Sequence, residues 1–247
     1  MGKGFLMSGE RKDVHNSDLP VLCRSCEARH KGMCGVLEPD QLMELARTAH
    51  KARVEPGSEL IGDSTEIHSY ANIMRGVVKL TKVLEDGRQQ VVGLQFAPDF
   101  LGRLYGDENA VAAEAASDVE LCVVPRAALE TLVARYPALE HRLMRQTLRE
   151  LDEARDWMVT LGRKTAQEKV ASFLYLIATH ADPDGRVEGS VAYDLPLSRL
   201  DIADFLGLTI ETVSRQLTRL RRSEIIRITN TRHVEIPDLA RLGALCG

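Results

Sequence analysis

The amino-acid sequence predicts an α+β protein in two folded parts, and three observations carry that reading. Short β-type runs punctuated by turn pairs fill Val54 to Val124, a long amphipathic pattern runs from Pro137 to Leu161, and two compact helix signals sit together between Leu197 and Leu220. With 247 residues and 44% hydrophobic content the chain can build two cores of its own. The expected order is an N-terminal cysteine region over 1–50, a β-rich unit over 51–134, a long helix over 135–164 and a helix-rich unit over 165–247.

In the β-rich unit, runs such as Val77 to Val83 and Val91 to Phe96 alternate with the turn signals Pro56-Gly57, Gly62-Asp63, Asp86-Gly87 and Pro98-Asp99. A small roll or barrel of cupin-like form fits best. Pro137 is at home in a first helical turn. After it, Met144, Leu151, Ala154, Met158 and Leu161 fall at heptad a and d spacing, while Arg142, Arg145, Arg149, Glu150, Asp152, Glu153, Arg155 and Asp156 flank them. Too many charges surround this stripe for burial all round, so the helix is expected to dimerise through it. Gly162 is expected to end the helix, and Thr165 with Glu168 forms a capping box that opens the next, placing a hinge between them.

The segment Leu197 to Leu220 is the most informative of all. Ser198 followed by Asp201 is a capping box that starts one helix, Gly207 just past Leu206 can take the left-handed conformation that ends it, and Thr209 can cap a second. In that second helix Val213, Leu217 and Leu220 form a buried stripe, leaving Glu211, Ser214, Arg215, Thr218, Arg219 and Arg222 on the opposite face. Such a face fits the major groove of double-stranded DNA. An arginine such as Arg215 can hold guanine O6 and N7 in a bidentate grip, and Glu211 near the helix start can accept from an exocyclic amine. An ordinary helical hairpin with a solvated basic face is the alternative. Against it, Arg215, Arg219, Arg221, Arg222, Arg227 and Arg232 crowd a stretch holding one acid, Glu224, in a chain whose net charge is −4. Ile226, Ile228, Val234 and Ile236 alternate around Thr229 to Arg232 as a hairpin beside the helices. Together these make a winged helix-turn-helix.

No run approaches the apolar length that spans a bilayer, and Met1 to Leu6 carries neither a signal-peptide core nor a myristoylation pattern, so a cytoplasmic protein is expected. Five cysteines in a reducing compartment point to a metal or redox role rather than to disulfides. Cys23, Cys26 and Cys34 are spaced C-x2-C-x7-C, one ligand short of a tetrahedral or cubane site. Cys122, inside the β-type run Glu120 to Val124, or His30 could complete it. For Cys122 a buried thiol serving as a small hydrophobe is the plainer reading, and Cys246 is a bystander. Spacing does not separate iron from zinc. A redox enzyme using Cys23-x2-Cys26 is a reading from another class, but no phosphate loop, nucleophile elbow or metalloprotease signature accompanies it.

Over nearly its whole length the chain resembles the Crp/Fnr family of bacterial transcription regulators, in particular its Fnr branch. Ile210-Glu211-Thr212-Val213-Ser214-Arg215 is similar to the family's E-x-x-S-R recognition signature, whose Glu, Ser and Arg read a TTGAT half-site. The resemblance implies that Thr209, Glu211, Thr212, Ser214, Arg215, Thr218 and Arg219 face DNA. It implies a homodimer on an inverted repeat like TTGAT-N4-ATCAA, and recruitment of RNA polymerase with the Glu85-Asp86-Gly87-Arg88 turn as a candidate contact. It also implies that Cys23, Cys26, Cys34 and Cys122 hold an oxygen-labile [4Fe-4S] cluster. The best-known members have five residues between the second and third cysteines where this chain has seven, a longer loop that still reaches. The family's other branch grips cyclic nucleotides with an Arg-Ser pair, whereas Arg103 to Arg126 here encloses no further basic residue and five acids, so no cyclic nucleotide is expected. A regulator of the same family with structural zinc or another effector is the alternative.

Overall fold

The computed structural model describes residues 19–24, 26–181 and 190–247; Met1 to Leu6 lies outside the described residues. The described chain enters through a short helix α1 (Val21–Arg24), two 3-10 turns (Glu27–Arg29 and Met33–Val36) and helix α2 (Pro39–Ala46). Pro39 in the first turn and the reciprocal bonds of Glu38 and Gln41 start α2, as a capping box should.

Eight strands follow: β1 (His50–Val54), β2 (Glu59–Ile61), β3 (Ser69–Arg75), β4 (Val77–Val83), β5 (Gln89–Phe96), β6 (Phe100–Leu101), β7 (Ala112–Ala115) and β8 (Val119–Pro125). They form two antiparallel sheets in the orders β1-β8-β3-β6 and β2-β7-β4-β5, the roll expected from the turn spacing. Ile73, Val78, Ala113, Ala115, Val119 and Leu121 fill the space between them. A second core lies at one end of the roll. There Leu42 and Leu45 of α2, Met33 of the second 3-10 turn and Tyr70 of β3 meet Leu129 and Leu132 of α3 (Arg126–Arg135) and Leu139 and Leu143 of α4 (Pro137–Arg163). This core seats the cysteine region against both the roll and the long helix.

Helix α4 buries Leu139, Leu143, Gln146 and Thr160. Met144, Leu151, Ala154 and Met158 of the expected seam are exposed, and Leu161 is half-buried. Leu148 and Val159, which the heptad reading omitted, are exposed as well, at 52% and 57%. Large aliphatic and thioether side chains left in the open along one helix make an uncovered apolar stripe. Gly162 does not end the helix, which continues to Arg163. The stop is set by the next helix, since extended Lys164 precedes Thr165, whose backbone and hydroxyl exchange hydrogen bonds with Glu168 at the start of α5 (Ala166–Ala181).

The C-terminal unit continues with β9 (Val191–Asp194), α6 (Arg199–Leu206), α7 (Ile210–Arg222), β10 (Arg227–Thr229), β11 (His233–Ile236) and α8 (Leu239–Gly243). Its sheet runs β10-β11-β9, so the expected hairpin gains a third strand. The core of this unit, with Phe173, Leu174, Phe205, Leu206, Leu217 and Ile236, is continuous with Val91 and Phe96 of the roll. Phe96 stacks on His180 at 3.9 Å between centroids, and Trp157 of α4 meets Phe205 at 4.5 Å. The helix-rich unit is thus packed onto the β4–β5 face of the roll. No helix among the described residues is long and apolar enough to cross a membrane.

Candidate nucleic-acid interface and cysteine site

The helix pair α6 and α7 is built by its caps. Ser198 and Asp201 satisfy each other's backbone amides at the start of α6, and Gly207 ends it at φ 60°, a conformation that would strain any residue carrying a Cβ. Thr209 then accepts from the Thr212 amide at 3.2 Å to start α7. Val213, Leu217 and Leu220 are buried beneath the pair, as the stripe required.

On the outer face Glu211, Ser214, Arg215 and Arg219 are exposed, while Thr212 and Thr218 are half-buried. Both threonine hydroxyls are engaged within the helix: Thr218 donates to the Ser214 carbonyl at 2.9 Å, and Thr212 accepts from Thr209 at 3.1 Å. Their first work is local, holding the reading face in shape. The α7 N-terminus holds the Glu211 carboxyl below its ordinary range, through its own backbone amide and the Thr209 hydroxyl, so Glu211 presents an ionised acceptor. Arg221, Arg222, Arg227 and Arg232 are exposed around it, and the wing turns through Asn230 and Thr231, both at positive φ. Arg199 of α6 ties that turn down by donating to the Thr231 carbonyl at 2.9 Å.

The four cysteines come from four places in the chain and line one small cavity, with Leu22, Leu45, Ala46, Ala49, Met74, Arg29 and Asn72 as its other walls. Cys23 lies on α1, Cys26 just after it, Cys34 in the second 3-10 turn, and Cys122 on β8. Cys122 faces Asn72 directly across the β3–β8 ladder, so the roll presents both to the cysteine loop. Gly35 is required for the fold of that loop, since a Cβ there would lie 2.5 Å from the His30 carbonyl oxygen. His30, the other candidate fourth ligand, is exposed and does not line the cavity. Cys246 packs with the C-terminal core, its thiol donating to the Leu242 carbonyl at 3.5 Å.

Burial, then the neighbouring thiols, pushes Cys23 up to about 11 and Cys122 up to about 12, and raises Cys34 well above its ordinary value. Among the described residues, no group of three or more His, Cys, Asp or Glu side chains is arranged to hold a single metal ion. A lone tetrahedral ion would draw its sulfurs to about 3.8 Å of one another, given Zn–S bonds near 2.3 Å. A cubane cluster binds each thiolate at its own iron, so its four thiols surround it at tetrahedral corners, farther from one another than around a lone ion. Four thiols behind mostly apolar walls are the donor chemistry that such a group takes, and the buried Asn72 Oδ1, which lacks a hydrogen-bond partner among the described residues, adds polar capacity beside Cys122.

A roll, a long helix with an open apolar stripe and a winged reading head define a DNA-binding regulator. Residues 168–245 match the Crp-like helix-turn-helix domain and residues 51–136 the cyclic nucleotide-binding domain. The chain is 55% identical over 236 residues to a probable transcriptional activator of Rhizobium leguminosarum bv. viciae, covering 96% of this chain and 98% of that one. It is 38% identical to the transcriptional activator protein FnrL of Cereibacter sphaeroides, over 89% of this chain and 90% of the relative. The solved structure of FixK2 from Bradyrhizobium japonicum superposes with a TM-score of 0.72 at 34% identity, over 81% of this chain and 98% of FixK2. The chain belongs to the Crp/Fnr family of transcription regulators. The redox-enzyme reading of Cys23 and Cys26 falls with that membership.

Proposed function

We propose that this regulator responds to oxygen through a [4Fe-4S] cluster held by Cys23, Cys26, Cys34 and Cys122, and activates transcription as a homodimer on an inverted repeat resembling TTGAT-N4-ATCAA. The observation that carries the reading is the meeting of four cysteines, from α1, the loop after it, the second 3-10 turn and β8, at one cavity. Burial of a thiol as a small hydrophobe explains one of them and not their convergence. When bound, the cluster supplies reactivity toward oxygen.

The chain's own residues do the rest. Cys122 and Asn72 are carried by the roll to the cavity that the cysteine loop also lines, and the uncovered stripe Met144, Leu148, Leu151, Ala154, Met158 suits a parallel helix pair. Two α7 helices related by that pair would stand roughly 34 to 36 Å apart, one turn of DNA. Glu211, Ser214 and Arg215 would read the bases, with Thr209, Thr212, Thr218 and Arg219 supporting them. The Glu85 to Arg88 turn is an exposed hairpin tip stiffened by the 2.8 Å Arg88–Asp86 pair, a surface open to RNA polymerase. The roll has the fold of a nucleotide-binding domain, yet Asp107, Glu108, Glu114, Asp118 and Glu120 are the charges between Arg103 and Arg126, and they repel a phosphate. A transcription regulator meets its DNA in the cytoplasm, and that is where this one is placed.

Anaerobic purification tests the cluster. A brown protein that bleaches in air and keeps iron and sulfide in equal amounts supports the reading. A colourless protein holding zinc, or none, with unchanged DNA binding in air, overturns it in favour of a Crp/Fnr regulator with another effector.

A further inference from the structure

Lys79 of β4 is one of the few buried charges in the described chain, and it belongs to two domains at once. Its Nζ lies 2.9 Å from Glu114 on the neighbouring strand β7 and 2.6 Å from Asp201 on α6 of the reading head, with 9% of the side chain exposed. Asp201 is also the residue that closes the capping box of α6. Around this bridge Gln90 of β5 donates to the Phe205 carbonyl at 3.4 Å, and Phe205 packs on Trp157 of the long helix. Docking uses α6 and leaves the reading face of α7 open, since Glu211, Ser214 and Arg215 are exposed.

A reading head held in this way is a stiff arm rather than a tethered bead. For two heads on one operator, the second binding step is intramolecular, and its effective concentration depends on whether the arm holds the head at the required distance and angle. A buried cation between two carboxylates is a directional clamp. Removing it leaves two half-buried acids without their counter-charge, which favours separation of the surfaces that hold them together.

We propose that Lys79 is a positioning residue that sets spacer-length specificity, by fixing the reading head to the roll through Glu114 and Asp201. This rests on the inverted-repeat reading and adds to it a residue far from the DNA. Base recognition belongs to α7; the distance between half-sites belongs to the bridge.

The test compares anaerobically prepared full-length wild type with Lys79→Met, which keeps the apolar stem, and Glu114→Gln, which leaves the α6 cap intact. Each is titrated with a single half-site duplex and with operators whose half-sites are three, four or five base pairs apart. In both variants half-site affinity is expected to hold, while affinity for the preferred operator falls about tenfold and the spacing preference flattens. Lys79→Arg, which keeps the charge, is expected to retain part of the preference. Unchanged spacing preference in both variants overturns the proposal. So does a half-site loss proportional to the operator loss, because Lys79 would then act through the cap of α6. A wild type indifferent to spacing overturns the inverted-repeat reading instead, and Lys79 is then judged by hydrogen exchange: amides of α6, β4 and β5 lose protection in Lys79→Met if the bridge holds the domains together, and equal protection refutes it.

Discussion

Arg142 on the long helix donates to the backbone carbonyl of Lys31, in the loop between Cys26 and Cys34, and its Nε reaches the next carbonyl, Gly32, at 3.3 Å. The cysteine loop is therefore fastened to the helix that carries the apolar stripe, two residues before Met144. The contact gives the cysteine loop a route to α4 that does not pass through the roll.

Arg142→Ala is expected to loosen that fastening by about 1 to 2 kcal/mol, the range for a charged donor lost at a half-buried site. Amide exchange over residues 26–37 should quicken about tenfold while the strands of the roll keep their protection. Equal exchange in variant and wild type would show the contact to be idle.

Where local chemistry dictates structure, the sequence was readable. Ser198, Asp201, Gly207 and Thr209 specify their caps without help from elsewhere, and the winged head follows from them. Gly162 misled because glycine marks a helix end only where a left-handed turn is needed, and here the Thr165–Glu168 box sets the boundary. Strand β9 was missed because four residues give little periodicity, and its place beside β11 is a tertiary fact. Leu148 and Val159 were missed because a strict a and d register excludes them. Nothing in local pattern joins Lys79 to Asp201, which are 122 residues apart. The cysteines stand between these cases: three announced themselves by spacing, whereas Cys122 looks like any buried strand residue until β8 brings it to the loop.

Arg215 is exposed on α7 with its guanidinium 3.4 Å from the Thr212 hydroxyl, a contact weak enough to yield to a base. Arg215→Ala is expected to cost about 1 to 3 kcal/mol of specific binding and to relax the choice at guanine, while non-specific binding falls much less. Equal losses for every DNA sequence would make Arg215 a phosphate contact.

Glu150 of α4 gives the fold a pH dependence. Burial, reinforced by the Asp99 and Glu153 carboxylates and opposed by Gln146 and Arg149, raises its carboxyl from 4.5 to about 7. Asp99 and Glu153 are themselves raised, burial leading in each case. The folded chain thus binds these protons more tightly than the unfolded chain, so stability falls as pH rises from about 4.5 through about 7 and the penalty is full above it. Glu150→Gln should flatten this slope and stabilise the protein on the alkaline side. Urea midpoints near about pH 5 and about pH 8 decide it, and a variant as pH-sensitive as the wild type would refute the assignment.

Ala154 is the small member of the exposed stripe, between Leu151 and Met158. Two helices paired there bury little area at that level, and Asp152, Glu153 and Asp156 place like charges nearby, so the pairing is expected to be marginal and open to bias. A cluster-ordered loop pulling on Arg142 has only a few kcal/mol to supply, and a marginal seam is one that such a bias can switch. Ala154→Leu adds three carbons to the seam, about 2 kcal/mol per helix by area if fully buried, and should hold the dimer in air and keep part of its DNA binding there. Cys122→Ala should abolish the response to oxygen while leaving α7 intact. Sedimentation of anaerobic and air-exposed protein separates the possibilities. A wild type that stays dimeric in both states, with DNA affinity still switching, would remove the seam from the mechanism and move the switch to the junction between Arg163 and Thr165, where the long helix hands over to the reading head.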